Sequence, residues 1–295
     1  MGQAQMVIQV IVQGVAMGSV YALMALGYVM IFKAVGVFNF AQGDIMMSGA
    51  FMGLVLYSIG KVPLPLMFIL TLVFTALLGA VIETVAFHPL LESPSRSYLI
   101  CTIAVGIILR EVAKMIFGAD PLLFPNYFGG HVLHAGPVAF SGDSLWIIVT
   151  GTLAVTLLLW FFSRTRLGKA MRAVAEDREV ARLMGINVDA NMRLTYAISS
   201  MLGGLAGILV APAFYAFSEM GRSFGLKAFS SFVFGGTESV PGAVVGGLTI
   251  GVIESLAGVY ISTQYKDVVS FVILISVLLW RPSGLFGEGR EKRAG

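Results

Sequence analysis

Polar and apolar positions along this chain are sorted into blocks rather than interleaved. Apolar runs of about twenty residues, long enough as helices to cross a hydrocarbon core about 30 Å thick, recur from end to end. They predict membrane-spanning helices over residues 7–32, 44–59, 64–87, 98–117, 145–162, 194–213, 241–260 and 268–280. A further stretch, 226–236, is apolar but too short to cross as a helix. It reads as a broken or re-entrant element, because irregular backbone at membrane depth survives only against protein or a watery cavity. The expected fold class is therefore all-α. It is a polytopic membrane protein of about eight transmembrane helices plus one short broken element, forming one transmembrane domain over residues 1–295.

Composition agrees. The chain is 57% hydrophobic with a mean hydropathy of +0.89, far above a soluble domain. Its 35 glycines suit helices in lipid, where small residues let backbones approach. Gly14 and Gly18, Gly203 and Gly207, and Gly242 and Gly246 read as packing faces. The net charge of +3 is not a nucleic-acid signal. The single cysteine, Cys101, excludes an internal disulfide and a cysteine-based metal site. His88, His131 and His134 form no ligand set. No nucleophile elbow, phosphate-binding glycine loop or zinc spacing occurs, so no catalytic residue, metal or cofactor is expected on this chain. The segment Met1 to Gln5 has no basic leader, and no cleaved signal peptide is expected.

Basic residues set the orientation. Met1 to Phe32 carries no Lys or Arg, which puts the N-terminus outside. Lys33, Arg96, the 164–193 loop and the tail with Arg281, Arg290, Lys292 and Arg293 belong on the cytoplasmic side. The 118–143 loop, nearly free of base, belongs outside. An even number of crossings must separate the 164–193 loop from the tail, yet only three spans there are clear. Either the 226–236 element helps complete a fourth or one assignment is wrong, and a broken helix is the expectation. Arg110, Glu111 and Lys114 run against the charge rule at the outer end of the fourth span. Glu111 and Lys114, three apart, can pair on one helix face.

The 164–193 block does not belong in lipid. It holds seven of the nineteen Lys and Arg residues. Gly168 and Gly185 bracket good helix formers, with Leu167, Ala170, Met171 and Val174 as an apolar stripe. A basic amphipathic helix would lie on anionic lipid, but Glu176, Asp177, Glu179 and Asp189 dilute the positive field. A mixed-charge rod suits a protein surface better. Lys169, Arg172, Glu176, Asp177 and Arg178 are the expected contacts with a soluble partner.

Inside the spans, Asn39, Gln42 and Asp44 cluster around Gly43. An ionised Asp deep in the bilayer costs about 2.5–3.5 kcal/mol. Two readings stay open. One is an interfacial loop with Asp44 in the first turn of its helix, where the dipole favours an acid. The other puts these groups on a translocation path. The segment 39–43 precedes a helix with Gly49 and Gly53. The segment 239–242 precedes another with Gly242, Gly246, Gly247 and Gly251. Interrupted segments at corresponding places in two halves point to a transport path and an inverted repeat. Gly235 and Gly236 join the candidates as broken-helix positions. Glu83, near a cytoplasmic end, reads as structural. Glu254 lies well inside a span and needs a polar partner from another helix. An ion-coupled secondary transporter would use Asp44 or Glu254 as its coupling acid.

Several segments together resemble the LivH-type permease subunits of branched-chain amino acid ABC transporters, over nearly the whole length. They are Gly18-Ser19-Val20-Tyr21-Ala22-Leu23, Val37-Phe38-Asn39-Phe40-Ala41-Gln42-Gly43-Asp44, Gly168-Lys169-Ala170-Met171-Arg172-Ala173-Val174-Ala175-Glu176-Asp177, Leu183-Met184-Gly185-Ile186-Asn187-Val188-Asp189, Gly235-Gly236-Thr237-Glu238-Ser239-Val240-Pro241-Gly242-Ala243 and Ser262-Thr263-Gln264-Tyr265-Lys266-Asp267. The chain departs at Gln42 and Asp44, where His and Glu are frequent in that family, and around Phe87-His88-Pro89. The resemblance implies an importer subunit in a bacterial inner membrane, with alternating access and no chemistry of its own. The implied substrate is a branched-chain or related hydrophobic amino acid, or another small solute such as an amide, urea or an aromatic acid. The implied partners are a second, LivM-like permease, a periplasmic binding protein and two cytoplasmic ATPase subunits that hold ATP and Mg. The Gly168–Gly185 segment would be their coupling element.

Overall fold

The computed structural model describes residues 3–60, 62–91, 93–124, 132–135, 138–281 and 283–287. His131 and the tail bases Arg290, Lys292 and Arg293 lie outside them. Among the described residues are eleven α-helices. They are α1 (Gln3–Val35), α2 (Gln42–Ser58), α3 (Leu64–Ile82), α4 (Ser95–Phe117), α5 (Gly142–Arg164), α6 (Arg166–Glu176), α7 (Arg178–Leu183), α8 (Val188–Phe214), α9 (Met220–Gly235), α10 (Val240–Tyr260) and α11 (Lys266–Trp280). A π-helical turn, Glu83–Phe87, extends α3. An antiparallel ribbon of β1 (Val132–Ala135) and β2 (Val138–Ser141) sits between α4 and α5.

Six segments are long and apolar enough to cross a membrane: α1, α3 with its extension, α5, α8, α10, and α11 with the turn before it. Helix α4 has the length, at 23 residues, but carries Arg110, Glu111 and Lys114. Helices α2 and α9 have 17 and 16 residues. At 1.5 Å per residue each spans about 25 Å, short of a full crossing.

Helix α1 is central and packs against α10, α8, α5 and α9. Its glycines set the closest approach. A Cβ on Gly14 or Gly18 would stand 2.7 Å from the Cα of Val252 or Leu248 on α10, as expected for small-residue packing in lipid. Helix α8 gives the directions of its neighbours. Gly49 and Gly53 of α2 lie against Gly204 and Ile208, so α2 runs with α8. Gly79 of α3 lies against Ser200, and Thr75 of α3 meets Gly204, so α3 runs against it.

Two breaks shape the interior. Helix α1 ends beside α7, where Arg178 meets the Ala34 carbonyl. The chain then turns back. Phe38 stacks on Phe32 at 4.9 Å, and Gln42, the first residue of α2, lies beside Gly27 and Ser199. So α2 starts deep in the bundle. At the other side, α8 ends at Phe214, Tyr215 takes φ +64, and the chain returns inward to start α9 at the fully buried Met220. The two first turns meet backbone on backbone. A Cβ on Gly43 would stand 2.1 Å from the Gly221 carbonyl oxygen. From there α2 runs away from the α6–α7 side, and α9 runs toward it along α1, with Phe229 and Phe232 against Tyr28.

This geometry completes the missing fourth crossing with residues 215–235 rather than 226–236 alone. It also moves the break. Gly235 and Gly236 lie at the bend between α9 and α10, where Gly236 takes φ +114 and Gly235 packs on Gly242. Ser239 simply caps α10, accepting from the Gly242 amide at 3.0 Å. The counterpart of 39–43 is therefore 217–221, not 239–242. Propensity could not show this, because 217–221 carries no Pro and only one Gly.

Candidate functional site

The external rod has a corner. Thr165 caps α6 by accepting from the Gly168 amide at 2.9 Å. Gly168 is a packing glycine, since a Cβ there would stand 2.3 Å from the Phe161 carbonyl oxygen. Met171 and Val174 are buried, whereas Leu167 is 55% exposed, so the apolar stripe is narrower than its spacing suggests. The single rod expected over 168–185 is two helices, because Asp177 leaves helical geometry at φ −154 and ψ 114. Its Oδ1 accepts from the amides of Glu179 and Val180 at 2.8 and 3.0 Å and so caps α7. Gly185, at φ +81, ends that helix.

Arg178 faces inward. Its Nε donates to the Ala34 carbonyl at 2.9 Å, and Nη2 donates to the same oxygen. Burial pulls this guanidinium below the ordinary arginine pKa. Lys169, Arg172 and Glu176 face outward. The corner's tip is apolar: Val180, Leu183 and Met184 are 54%, 87% and 77% exposed. Charge reasoning passed over these three. Arg178→Ala should loosen the corner by about 1.5 kcal/mol, the low end for a charged hydrogen bond at a half-buried site. A lower thermal midpoint in detergent, with faster protease cleavage at 176–185 and no rescue by Arg178→Lys, is the expected readout.

Of Asn39, Gln42, Gly43 and Asp44, it is Asp44 that lines a cavity. Arg110 grips it from α4, with Nε and Nη2 donating to Oδ1 at 3.3 and 3.1 Å and Nη2 to Oδ2 at 3.3 Å. Arg110 Nη1 also lies 3.7 Å from Glu219, which pairs with Lys114 at 3.0 Å. Lys114 pairs with Glu111 as its spacing indicates. These bases at the outer end of α4 thus have partners that the charge rule does not see. Gln42 is fully buried between helices. Its Nε2 donates to the Ser199 carbonyl at 2.9 Å, and its Oε1 accepts from the Ser199 hydroxyl at 3.1 Å. Asn39 Oδ1 accepts from the Ala41 amide. The cavity holds about 360 Å³ and is walled by Tyr28, Phe40, Asp44, Arg110, Arg222 and Phe229, among others. Asp44 stands in the first turn of α2, as one reading expects, and is 3% exposed beside Gly106 of α4.

Glu254 finds its partners on other helices. Tyr21 donates to Oε2 at 2.8 Å, and Lys227 of α9 donates to Oε1 at 2.7 Å. Lys227 also pairs with Asp267 of α11 at 2.8 Å. Both acids considered as ion-coupling groups are thus held by fixed bases. Lys227 sits inside the stretch read as apolar, which is why its role was not legible. Glu83 is buried and 3.2 Å from His88 Nδ1, a structural placement.

A helical bundle with two half-helices meeting in its interior, and a charged corner held at one end, is the architecture of a membrane transport subunit. The chain belongs to the family described as the branched-chain amino acid transport system permease component, whose model matches residues 10–278. It is 35% identical over 296 residues to the high-affinity branched-chain amino acid transport system permease protein LivH of Escherichia coli, covering 95% of this chain and 96% of that one. It is 36% identical over 294 residues to the corresponding protein BraD of Pseudomonas aeruginosa, covering 95% and 96%. PsaBC from Streptococcus pneumoniae, solved in complex with Fab, shares the fold at a TM-score of 0.51 and 16% identity, over 93% of this chain and 92% of that one. The expected family, the polytopic all-α class and the role of an ABC importer permease all stand.

Proposed function

We propose that this chain is the LivH-type half of an inner-membrane importer for branched-chain or related hydrophobic amino acids. Its partners are a LivM-like permease, two cytoplasmic ATPase subunits that bind ATP and Mg, and a periplasmic binding protein. The N-terminus is periplasmic and the C-terminus cytoplasmic. The observation that carries the reading is the α6–α7 corner, which offers an apolar tip in a ring of charge outside the bundle. Exposed Leu183 and Met184 would seat in an ATPase groove, flanked by Arg172, Glu176 and Arg182. The roles first given to Gly168, Asp177, Arg178 and Gly185 are then to shape and anchor the corner, while Lys169 and Arg172 meet the partner. The pinned state of Asp44 and Glu254 favours this over ion coupling.

The test is Leu183→Asp with Met184→Asp in the reconstituted importer. Losing two central apolar contacts should lower uptake more than about tenfold, with the bundle's melting unchanged and basal ATP hydrolysis retained. Wild-type uptake in that variant, or uptake that follows the proton gradient rather than ATP, would refute the reading.

A further inference from the structure

We propose that the cavity above the meeting point of α2 and α9 is a transit site that reads the carboxylate of the transported solute, with Arg222 as its anchor. The proposal rests on the importer reading and deepens it, because it gives the permease a share of the selectivity.

The cavity's volume of about 360 Å³ falls in the range of about 300–1,000 Å³ typical of small-molecule sites. Its lining is divided by chemistry. Tyr28, Asp44, Arg110 and Arg222 give the polar groups, and Ile103, Ile107, Leu226 and Phe229 give apolar wall. That is the layout an amphipathic α-amino acid or another small hydrophobic carboxylate requires. The cavity opens at the surface of this chain, where Ile103, Ile107 and Leu226 are 48%, 50% and 37% exposed.

The two arginines are not equivalent. Arg110 is already bound to Asp44 by both of its forks and has Glu219 nearby. Asp44 and Arg110 cancel each other. Arg222 is exposed, and among the described residues no acid lies within 4.0 Å of it. Glu219 lies in its field, and that carboxylate is engaged with Lys114 at 3.0 Å. Arg222 is thus the cation on this wall with donors to spare. Guanidinium matches carboxylate geometry with paired donors, and Arg is preferred where planar recognition matters. Tyr28 Oη, which donates to the Gly225 carbonyl at 3.4 Å from α1, keeps its own lone pairs as acceptors for an ammonium group.

The experiment uses the complete importer reconstituted in vesicles, with L-leucine as probe and the loaded binding protein in excess. Uptake per ATP hydrolysed is read for wild type, Arg222→Gln, Arg222→Lys and Ile107→Trp. Loss of one charge-assisted contact should cut uptake per ATP about tenfold in Arg222→Gln. Arg222→Lys should retain part of it, and Ile107→Trp, which fills the apolar end, should block uptake while hydrolysis continues. The melting temperature of Arg222→Gln should not move, because no ion pair is lost. Unchanged uptake per ATP in both Arg222→Gln and Ile107→Trp would overturn the site. So would a loss in which hydrolysis falls in proportion to uptake, since that is failed coupling. If the wild-type importer does not move L-leucine at all, the substrate reading beneath the proposal falls instead.

Discussion

Asp44→Ala should cost about 3–5 kcal/mol, because it leaves the Arg110 guanidinium buried without its carboxylate. Arg110 is 17% exposed and Asp44 5% at the side chain, so water can replace little of the lost partner. Glu219, 3.7 Å from Nη1, places the loss toward the lower end of that range. The measurement is the thermal or denaturant midpoint of the detergent-purified chain. Replacing both partners by apolar residues, Asp44→Leu with Arg110→Met, should restore most of the stability, since buried pairs of charges gain little over apolar packing. If the single variant melts like wild type, the pair is not a structural clamp and the placement of α2 against α4 is wrong. The double variant also separates roles. It should fold, and any transport defect it keeps belongs to the cavity rather than to stability.

Gly43→Ala should be among the most damaging single-methyl additions in the bundle. The new carbon would stand 2.1 Å from the Gly221 carbonyl oxygen, with the Gly225 Cα 3.1 Å away. Both are backbone atoms, so no rotamer change relieves the clash, and α2 and α9 must separate. Overpacking costs typically 1–3 kcal/mol and sometimes more, and we expect about 3 kcal/mol here. Gly53→Ala is the internal comparison. Its new carbon meets the Ile208 side chain at 2.9–3.0 Å, which can rotate away, so about 1 kcal/mol or less is expected. The ranking of the two melting points checks the claim. Equal effects would mean that the first turns of α2 and α9 do not meet.

These two variants also show where the sequence stopped being readable. The break at 39–44 was visible, because Asn39, Gln42 and Asp44 interrupt apolar runs. Its mate at 217–221 was not, because Ser218 and Glu219, with Arg222 just beyond, read as a polar loop between the apolar runs 194–213 and 226–236. The break was assigned instead to Gly235 and Gly236, whose glycines serve the turn before α10. The rod at 164–193 was legible from its charge, but its corner was not. Asp177, expected as a partner contact, also caps α7, and Arg178 points back to Ala34. The proposed contact surface centres on the exposed Leu183 and Met184, which a reading of charge alone cannot select.

Hydropathy is a property of each segment taken alone, so the sequence by itself determined six of the eight expected spans, the all-α class and the charged block, whereas the expected span 44–59 is a half-helix. Tertiary structure decided which charges meet. Arg110 and Asp44 stand 66 positions apart, and Glu254 reaches Tyr21 across 233. In lipid an unpaired ion is costly wherever it lies in sequence, so composition could require partners for these acids but could not name them. That choice belongs to the way α2 and α9 pack, which depends on backbone surfaces that no local pattern encodes.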